Sequence, residues 1–214
     1  MIRLDKKLRF FAASLSFVAG FVDALGFIHL GGYFVSFMSG NSTRMAVSLS
    51  ERPADGLLPL SLMGLFLAGV VGGTILSSRL NGRHGRVMLL SVSGLLAVTA
   101  LLATLGLGRM AIWITPVAMG AMNTLFQRDG EVSVGVTYMT GTLVKLGQRL
   151  AAALTGGPRW AWAPYLLLWL GLMIGAICGA AAYPRFGLVA LWLPVAILLA
   201  LSGLSGQIDR ANRG

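Results

Sequence analysis

Phe37-Met38-Ser39-Gly40-Asn41 returns 101 residues later as Tyr138-Met139-Thr140-Gly141-Thr142. Both stretches interrupt long apolar sequence with a small polar triplet. The same offset of 101 pairs Arg44 with Lys145 and Met45 with Leu146. Upstream, Gly20 and Asp23 match Gly120 and Asn123 at an offset of 100. Downstream, Gly69, Gly73 and Arg79 match Gly175, Gly179 and Arg185 at an offset of 106. The offset drifts only by loop insertions, so the order of features is kept. One such match is weak; the ordered set reads as an internal duplication, with halves at residues 10–107 and 110–206.

The sequence around these elements belongs in a bilayer. Of the 214 residues, 56% are hydrophobic and only 11% charged, and the mean hydropathy is +0.80. A soluble domain carries roughly a quarter of its residues as charges. Between the charge clusters run uncharged stretches of about 18 residues or more, long enough to cross a hydrocarbon core. Inside lipid a backbone must satisfy its own hydrogen bonds, and these runs lack strict alternation, so they read as helices rather than barrel strands. Residues 1–214 therefore form a single all-α, polytopic integral membrane domain. The net charge of +10 sits at Arg3, Lys6, Lys7 and Arg9, at Arg79, Arg83 and Arg86, and at Arg210 and Arg213, all flanking apolar runs. Charges so placed set topology against anionic cytoplasmic lipid. They are not interleaved with aromatics, which argues against a nucleic-acid partner. Phe10 to Ile28 is longer than a secretory signal core and contains Asp23, so it reads as a retained first span.

Six stretches are strong spanning candidates: 10–28, 57–78, 87–107, 110–127, 161–182 and 186–206. Two more, 33–50 and 133–153, are weaker, each carrying glycine, hydroxyl and basic residues. If all eight cross, Arg79, Arg83, His84 and Arg86 fall outside, against the positive-inside rule. If the two weak stretches are broken or re-entrant, that loop falls inside together with both termini. Six full spans plus two re-entrant segments is the favoured topology, and eight spans is the alternative. Three spans per half inverts the second copy, an arrangement in which discontinuous segments meet near the midplane of transporters.

Asp23 lies deep in the first apolar run, where a carboxylate must be paired, protonated or wetted. It reads either as a proton or cation site, as a counter-ion for Arg44, or as a structural cap. Asn123 keeps the hydrogen bonding without the charge. Ser39-Gly40-Asn41 and Thr140-Gly141-Thr142 suit either helix breaks whose free amides attract an anionic group, or close interhelical packing. Arg44 and Lys145 can neutralise an anion or snorkel to headgroups. The Gly69/Gly73 and Gly175/Gly179 pairs have the spacing of close helix packing. Trp160, Trp162, Tyr165 and Trp169 look like an interfacial belt. Cys178 reads as a small packing residue. Neither His29 nor His84 has a second ligand at metal spacing, so no metal or other cofactor is expected. No nucleophile–base pair or phosphate-cradling loop appears, so no enzyme activity is expected either.

Gly20-Phe21-Val22-Asp23-Ala24-Leu25-Gly26-Phe27, followed by Phe37-Met38-Ser39-Gly40-Asn41, resembles the YoaK-like family of uncharacterised bacterial inner-membrane proteins. The resemblance extends over nearly the whole chain in length, span number and motif order. It implies six spans and a multi-pass bacterial plasma-membrane location, and supplies no substrate. Ser39 stands where threonine is expected in that motif, which keeps the hydroxyl.

Together these features predict a small secondary transporter or channel. Asp23, Asn41, Arg44, Asn123, Thr142 and Lys145 would line the pathway, with Ser39, Gly40, Thr140 and Gly141 at its centre. The paired cations lean the solute toward small anions or zwitterions. A non-transporting membrane scaffold is the alternative, predicting a dry, tightly packed centre. An intramembrane enzyme would need an acid/base pair in a cavity open to lipid. Partners beyond the bilayer and a small solute reduce to a homo-oligomer.

Overall fold

The structure is a computed structural model that describes residues 6–80, 84–125, 127–128, 131–132 and 137–205. Arg3, Arg83, Arg210, Arg213 and part of the predicted 133–153 segment lie outside these. The described chain is helical: α1 (Lys6–His29), α2 (Met38–Glu51), α3 (Leu57–Ser78), α4 (His84–Thr104), the short α5 (Gly108–Ala111), α6 (Ile114–Met122), α7 (Met139–Leu154), α8 (Ala163–Phe186) and α9 (Trp192–Ser202). The exception is a two-residue hairpin, Gln127–Arg128 with Glu131–Val132.

Each predicted apolar run forms a helix, and the breaks have local causes. Gly31 and Gly32 follow α1 with φ of 66° and 105°, a left-handed pair that stops the helix. Arg52 ends α2 in an extended conformation, as the residue before Pro53 must. Gly187, with φ of 54°, turns the chain after α8. Both α8 and α9 then pack against α1, so the predicted span at 186–206 shortens to a 3-10 turn, Gly187–Leu191, and the eleven residues of α9. Four helical stretches are long and apolar enough to cross a membrane: Arg9–His29, Ala54–Ser78, His84–Thr104 and Ala163–Ser202, the last comprising α8 and α9.

Packing is dominated by two helix pairs, α1 with α8 and α3 with α6. Glycines let these backbones touch. A Cβ at Gly171 would stand 2.6 Å from the Ala13 carbonyl oxygen, and one at Gly175 would land on that of Phe17. At Gly179 it would lie 2.5 Å from the Phe21 oxygen. Residue numbers rise together on both helices, so α1 and α8 run parallel. In the second pair, Gly69 meets the Val117 carbonyl, Gly73 would hold a Cβ 3.1 Å from Ala121 Cα, and these helices are parallel too. From the facing side, Gly20 abuts Leu172 and Gly120 abuts Phe66. The Gly-xxx-Gly pairs thus join one half of the chain to the other. Without a hydrophobic gain between helices in lipid, such close van der Waals contact is what holds them. Cys178 on α8 is exposed and packs against none of this, because the buried stripe of α8 passes through Gly175 and Gly179 instead.

The ends of the bundle are also fixed. Gly108, just after α4, sits so that a Cβ there would be 3.7 Å from both His29 Cε1 and Leu188 Cδ1. His29 Nδ1 and the Tyr183 hydroxyl are 2.8 Å apart. The C-terminal ends of α1, α4 and α8 therefore share one face. At the other face, His84 Nε2 lies 3.2 Å from the Thr124 carbonyl oxygen, joining the start of α4 to the end of α6.

Candidate functional site

The segment between α1 and α2 folds back along α1. Asn41, fully buried, pairs with the backbone of Phe34 in both directions: its amide donates to the Phe34 carbonyl at 2.7 Å and its Oδ1 accepts the Phe34 N–H at 2.9 Å. Asp23 Oδ1 accepts the N–H groups of Val35 at 2.9 Å and Ser36 at 2.8 Å. Asp23 lies six residues before the end of α1, so the tip Ser36–Ser39 is held about 9 Å inside the helix end at 1.5 Å per residue. Arg44 closes the other side, its guanidinium 5.8 Å from the Phe27 ring centre and 5.2 Å from that of Tyr33.

Ahead of α7, neutral groups make a related contact, through a side-chain hydroxyl instead of backbone amides. Thr137 donates its hydroxyl to Asn123 Oδ1 at 2.7 Å, and Asn123 donates to the Met119 carbonyl at 2.9 Å. Thr142, buried like Asn41, bonds the Tyr138 carbonyl at 3.1 Å. Asp23 with Ser36 thus corresponds to Asn123 with Thr137.

The two tips meet. Residues 36–39, 137–141 and Phe66 line one cavity of about 370 Å³. α2 and α7 both begin at its wall, and the first N–H groups of a helix have no partner within it. Ser39 and Thr140 each bring a hydroxyl residue to the lining; Phe37, Met38, Phe66, Tyr138 and Met139 supply apolar surface. Of the predicted pathway residues, Ser39, Thr140 and Gly141 come together here. Gly40, Asn41 and Thr142 support the tips from behind. Arg44 and Lys145 lie further along α2 and α7, exposed and outside the lining. Arg44 rests on aromatic rings, while Asp23 is met by backbone amides rather than a guanidinium. Asp23 opens instead on a separate groove of about 430 Å³ between α1 and α8, walled by Phe27, Phe34 and aliphatic residues.

Ser36, Phe37, Met38, Phe66, Thr137, Tyr138 and Met139 also line the cavity but are not among the residues predicted for the pathway. Ser36 and Thr137 obey the offset of 101, one residue before the quoted motif. Phe66 carries no such signal, being one aromatic in an apolar helix. Among the described residues, no three His, Cys, Asp or Glu side chains gather as a metal site.

Residues 11–204 match the family model described as "Protein of unknown function (DUF1275)". The chain is 37% identical over 199 residues to the UPF0700 transmembrane protein RA0705 of Rhizobium meliloti (strain 1021), covering 92% of this chain and 86% of that protein. It is 25% identical over 203 residues to the UPF0700 transmembrane protein YoaK of Bacillus subtilis (strain 168), covering 87% and 89%. No solved structure matches the chain.

Proposed function

This chain belongs to the DUF1275 family of membrane proteins, and from that premise we propose that it is a small transporter or channel in which two re-entrant half-helices meet at a central solute pathway. The observation that carries the reading is the single cavity between matched tips, Ser36–Ser39 and Thr137–Gly141.

Topology supports it. If α2 crossed the membrane, α1 and α4 would end on opposite faces. Their ends meet at His29 and Gly108, which favours six crossings: α1, α3, α4, α5 taken together with α6, α8, and the turn Gly187–Leu191 taken together with α9. α2 then rises from the level of Asp23 back to the face at which α1 ended. Ser42 Oγ lies 3.8 Å from Met63 Sδ, and Leu49 packs on Gly56, so α2 runs antiparallel to α3 as this requires. The second half enters from the other face, making the repeat inverted. By the positive-inside rule both termini lie in the cytoplasm of a bacterial plasma membrane. In a Cys178→Ala background, single cysteines at Asp55 and Thr155 should react with an impermeant maleimide from opposite sides of the membrane. Eight crossings would put both on the same side, and that result removes the re-entrant reading.

Two half-helix N-termini turned to one cavity favour a small anion or a zwitterion's carboxylate, and disfavour cations. No acidic side chain lines the cavity. Purified protein in liposomes should accelerate osmotic re-swelling in acetate or glycine but not in sucrose. Gly141→Leu should return that rate to the protein-free baseline, because Gly141 lines the cavity and has open space where a side chain would start. Acetate and glycine rates equal to protein-free liposomes would leave the scaffold reading, which the apolar share of the cavity wall favours.

A further inference from the structure

We propose that the groove between α1 and α8 binds one anionic phospholipid, an acyl chain lying in the trough and its phosphate held by Arg44. The site requires only that α1 and α8 cross the membrane; it needs neither the re-entrant segments nor a solute. Phe27 and Ile28 on α1, Phe34, and Ala176, Ile177 and Ala180 on α8 make most of its wall. Ala176 and Ala180 carry only methyl groups, which leaves a trough beside the more prominent Ile177, itself 62% exposed. Asp23 reaches the inner part of the groove, but its Oδ1 is already engaged by the N–H groups of Val35 and Ser36. A held water needs about two to four polar partners, so hydrocarbon is the filling that suits this space.

The groove has the depth of one leaflet. Along α1 it runs from Ile28 to Gly20, about 12 Å at 1.5 Å per residue. Half of a hydrocarbon core is about 15 Å. The apolar stretch Arg9–His29 has 21 residues. At about 32 Å it matches the whole core of about 30 Å. Its end at His29 therefore stands at headgroup level, and the groove descends from there toward the midplane.

Arg44 stands at the head of this groove. A Cβ at Gly32, just beyond the end of α1, would lie 3.1 Å from both terminal nitrogens of its guanidinium. The same guanidinium is 5.8 Å from the ring centre of Phe27, which walls the groove, and 5.2 Å from that of Tyr33. Rings fix the position of the charge without neutralising it, and a guanidinium can give two N–H donors to two oxygens of one phosphate. Among the described residues, Asp23 is the one acid in the lining, and it bonds the backbone rather than Arg44. An exposed cation at headgroup level above an apolar trough one leaflet deep complements a molecule divided the same way, an anionic head on a hydrocarbon chain.

The test is native mass spectrometry of full-length protein in detergent, titrated with dioleoyl phosphatidylglycerol, dioleoyl phosphatidylcholine or glycerol phosphate. One phosphatidylglycerol per chain is expected to bind ahead of any phosphatidylcholine, and glycerol phosphate, which has no acyl chain, should not be retained. Arg44→Gln should weaken phosphatidylglycerol binding about tenfold through loss of the charged pair. Ala180→Trp, which keeps Arg44 and fills the trough, should weaken it comparably. Both positions are exposed, so each variant should elute as folded protein on size exclusion. Lys145→Gln removes a cation outside the groove and should leave the affinity unchanged. Equal binding of the two lipids, retention of glycerol phosphate, wild-type affinity in Arg44→Gln or Ala180→Trp, or an equal loss in Lys145→Gln would each overturn the assignment. In intact membranes, p-benzoylphenylalanine at Ile177 should give lipid adducts. An adduct to a protein chain would mean that protein fills the groove, and would overturn it as well.

Discussion

Gly175→Leu is expected to leave almost no folded protein, and Gly69→Leu to do the same. At each site the first side-chain atom would occupy the position of a backbone carbonyl oxygen, that of Phe17 or Val117. A rotamer change cannot relieve this, because the obstacle is main chain inside a helix. Overpacking by a few methylenes costs about 1–3 kcal/mol when side chains can shift. Here α1 must separate from α8, or α3 from α6, along the whole parallel contact. Loss of several kcal/mol is comparable to the total stability of many domains, about 5–15 kcal/mol. Gly64→Ala, Gly72→Ala and Gly94→Ala provide the contrast, since nothing stands within 4 Å of a Cβ at any of them. Each should be neutral or gain up to about 1 kcal/mol from helix propensity. Yield of monodisperse protein on size exclusion, with thermal unfolding followed by tryptophan fluorescence, measures both groups. Wild-type stability in Gly175→Leu would mean that α1 and α8 do not touch as described.

Asp23→Leu should destabilise the protein by on the order of 2–6 kcal/mol, because it strands two buried N–H groups at about 1–3 kcal/mol each. Those groups, on Val35 and Ser36, have no helix to fall back on at the tip of the loop. Asp23→Asn keeps an acceptor oxygen in place and should lose much less. The protein contains its own precedent, since Asn123 holds the second tip with a neutral amide. The pair of variants separates two roles that the sequence leaves open. Equal thermal stability of Asp23→Asn and wild type, with flux retained, makes Asp23 a hydrogen-bonding anchor. Retained stability with flux abolished would instead make its charge part of the transport step and sink the anchoring account.

Much of this arrangement is legible in the residues alone. The apolar runs marked every long helix, because hydrocarbon imposes length and composition directly. The spacing of Gly69 with Gly73 and of Gly175 with Gly179 announced close packing, and the structure supplied the partners, α6 and α1. The offset that aligned Ser39 with Thr140 also aligned the two cavity walls. What stayed hidden depended on three-dimensional return. Arg44 and Lys145 looked like pathway cations because a linear motif does not say which way a helix turns its face. Of the three readings open for Asp23, a partner for Arg44 is the one not seen, since backbone amides from twelve and thirteen residues ahead reach the carboxylate, as in the capping alternative. Phe66 could not be selected at all, since its role exists only where the two tips approach α3. The six-crossing topology proposed above rests on one meeting of helix ends, at His29 and Gly108, that no hydropathy profile contains.

The parallel contact between α1 and α8 sets a schedule for biogenesis. α1 ends at His29 and lies against the glycine stripe of α8, which begins only at Ala163. At about 5–20 residues per second, the first span waits on the order of ten to thirty seconds for its mate. During that interval the face destined for closest contact is bathed in lipid or held by the insertion machinery. Neither half of the chain can mature alone, because each stores the groove that the other fills. Closure of the α1–α8 contact is therefore a late event, whereas α3 and α6 (Ile114–Met122) can meet before α8 enters the bilayer.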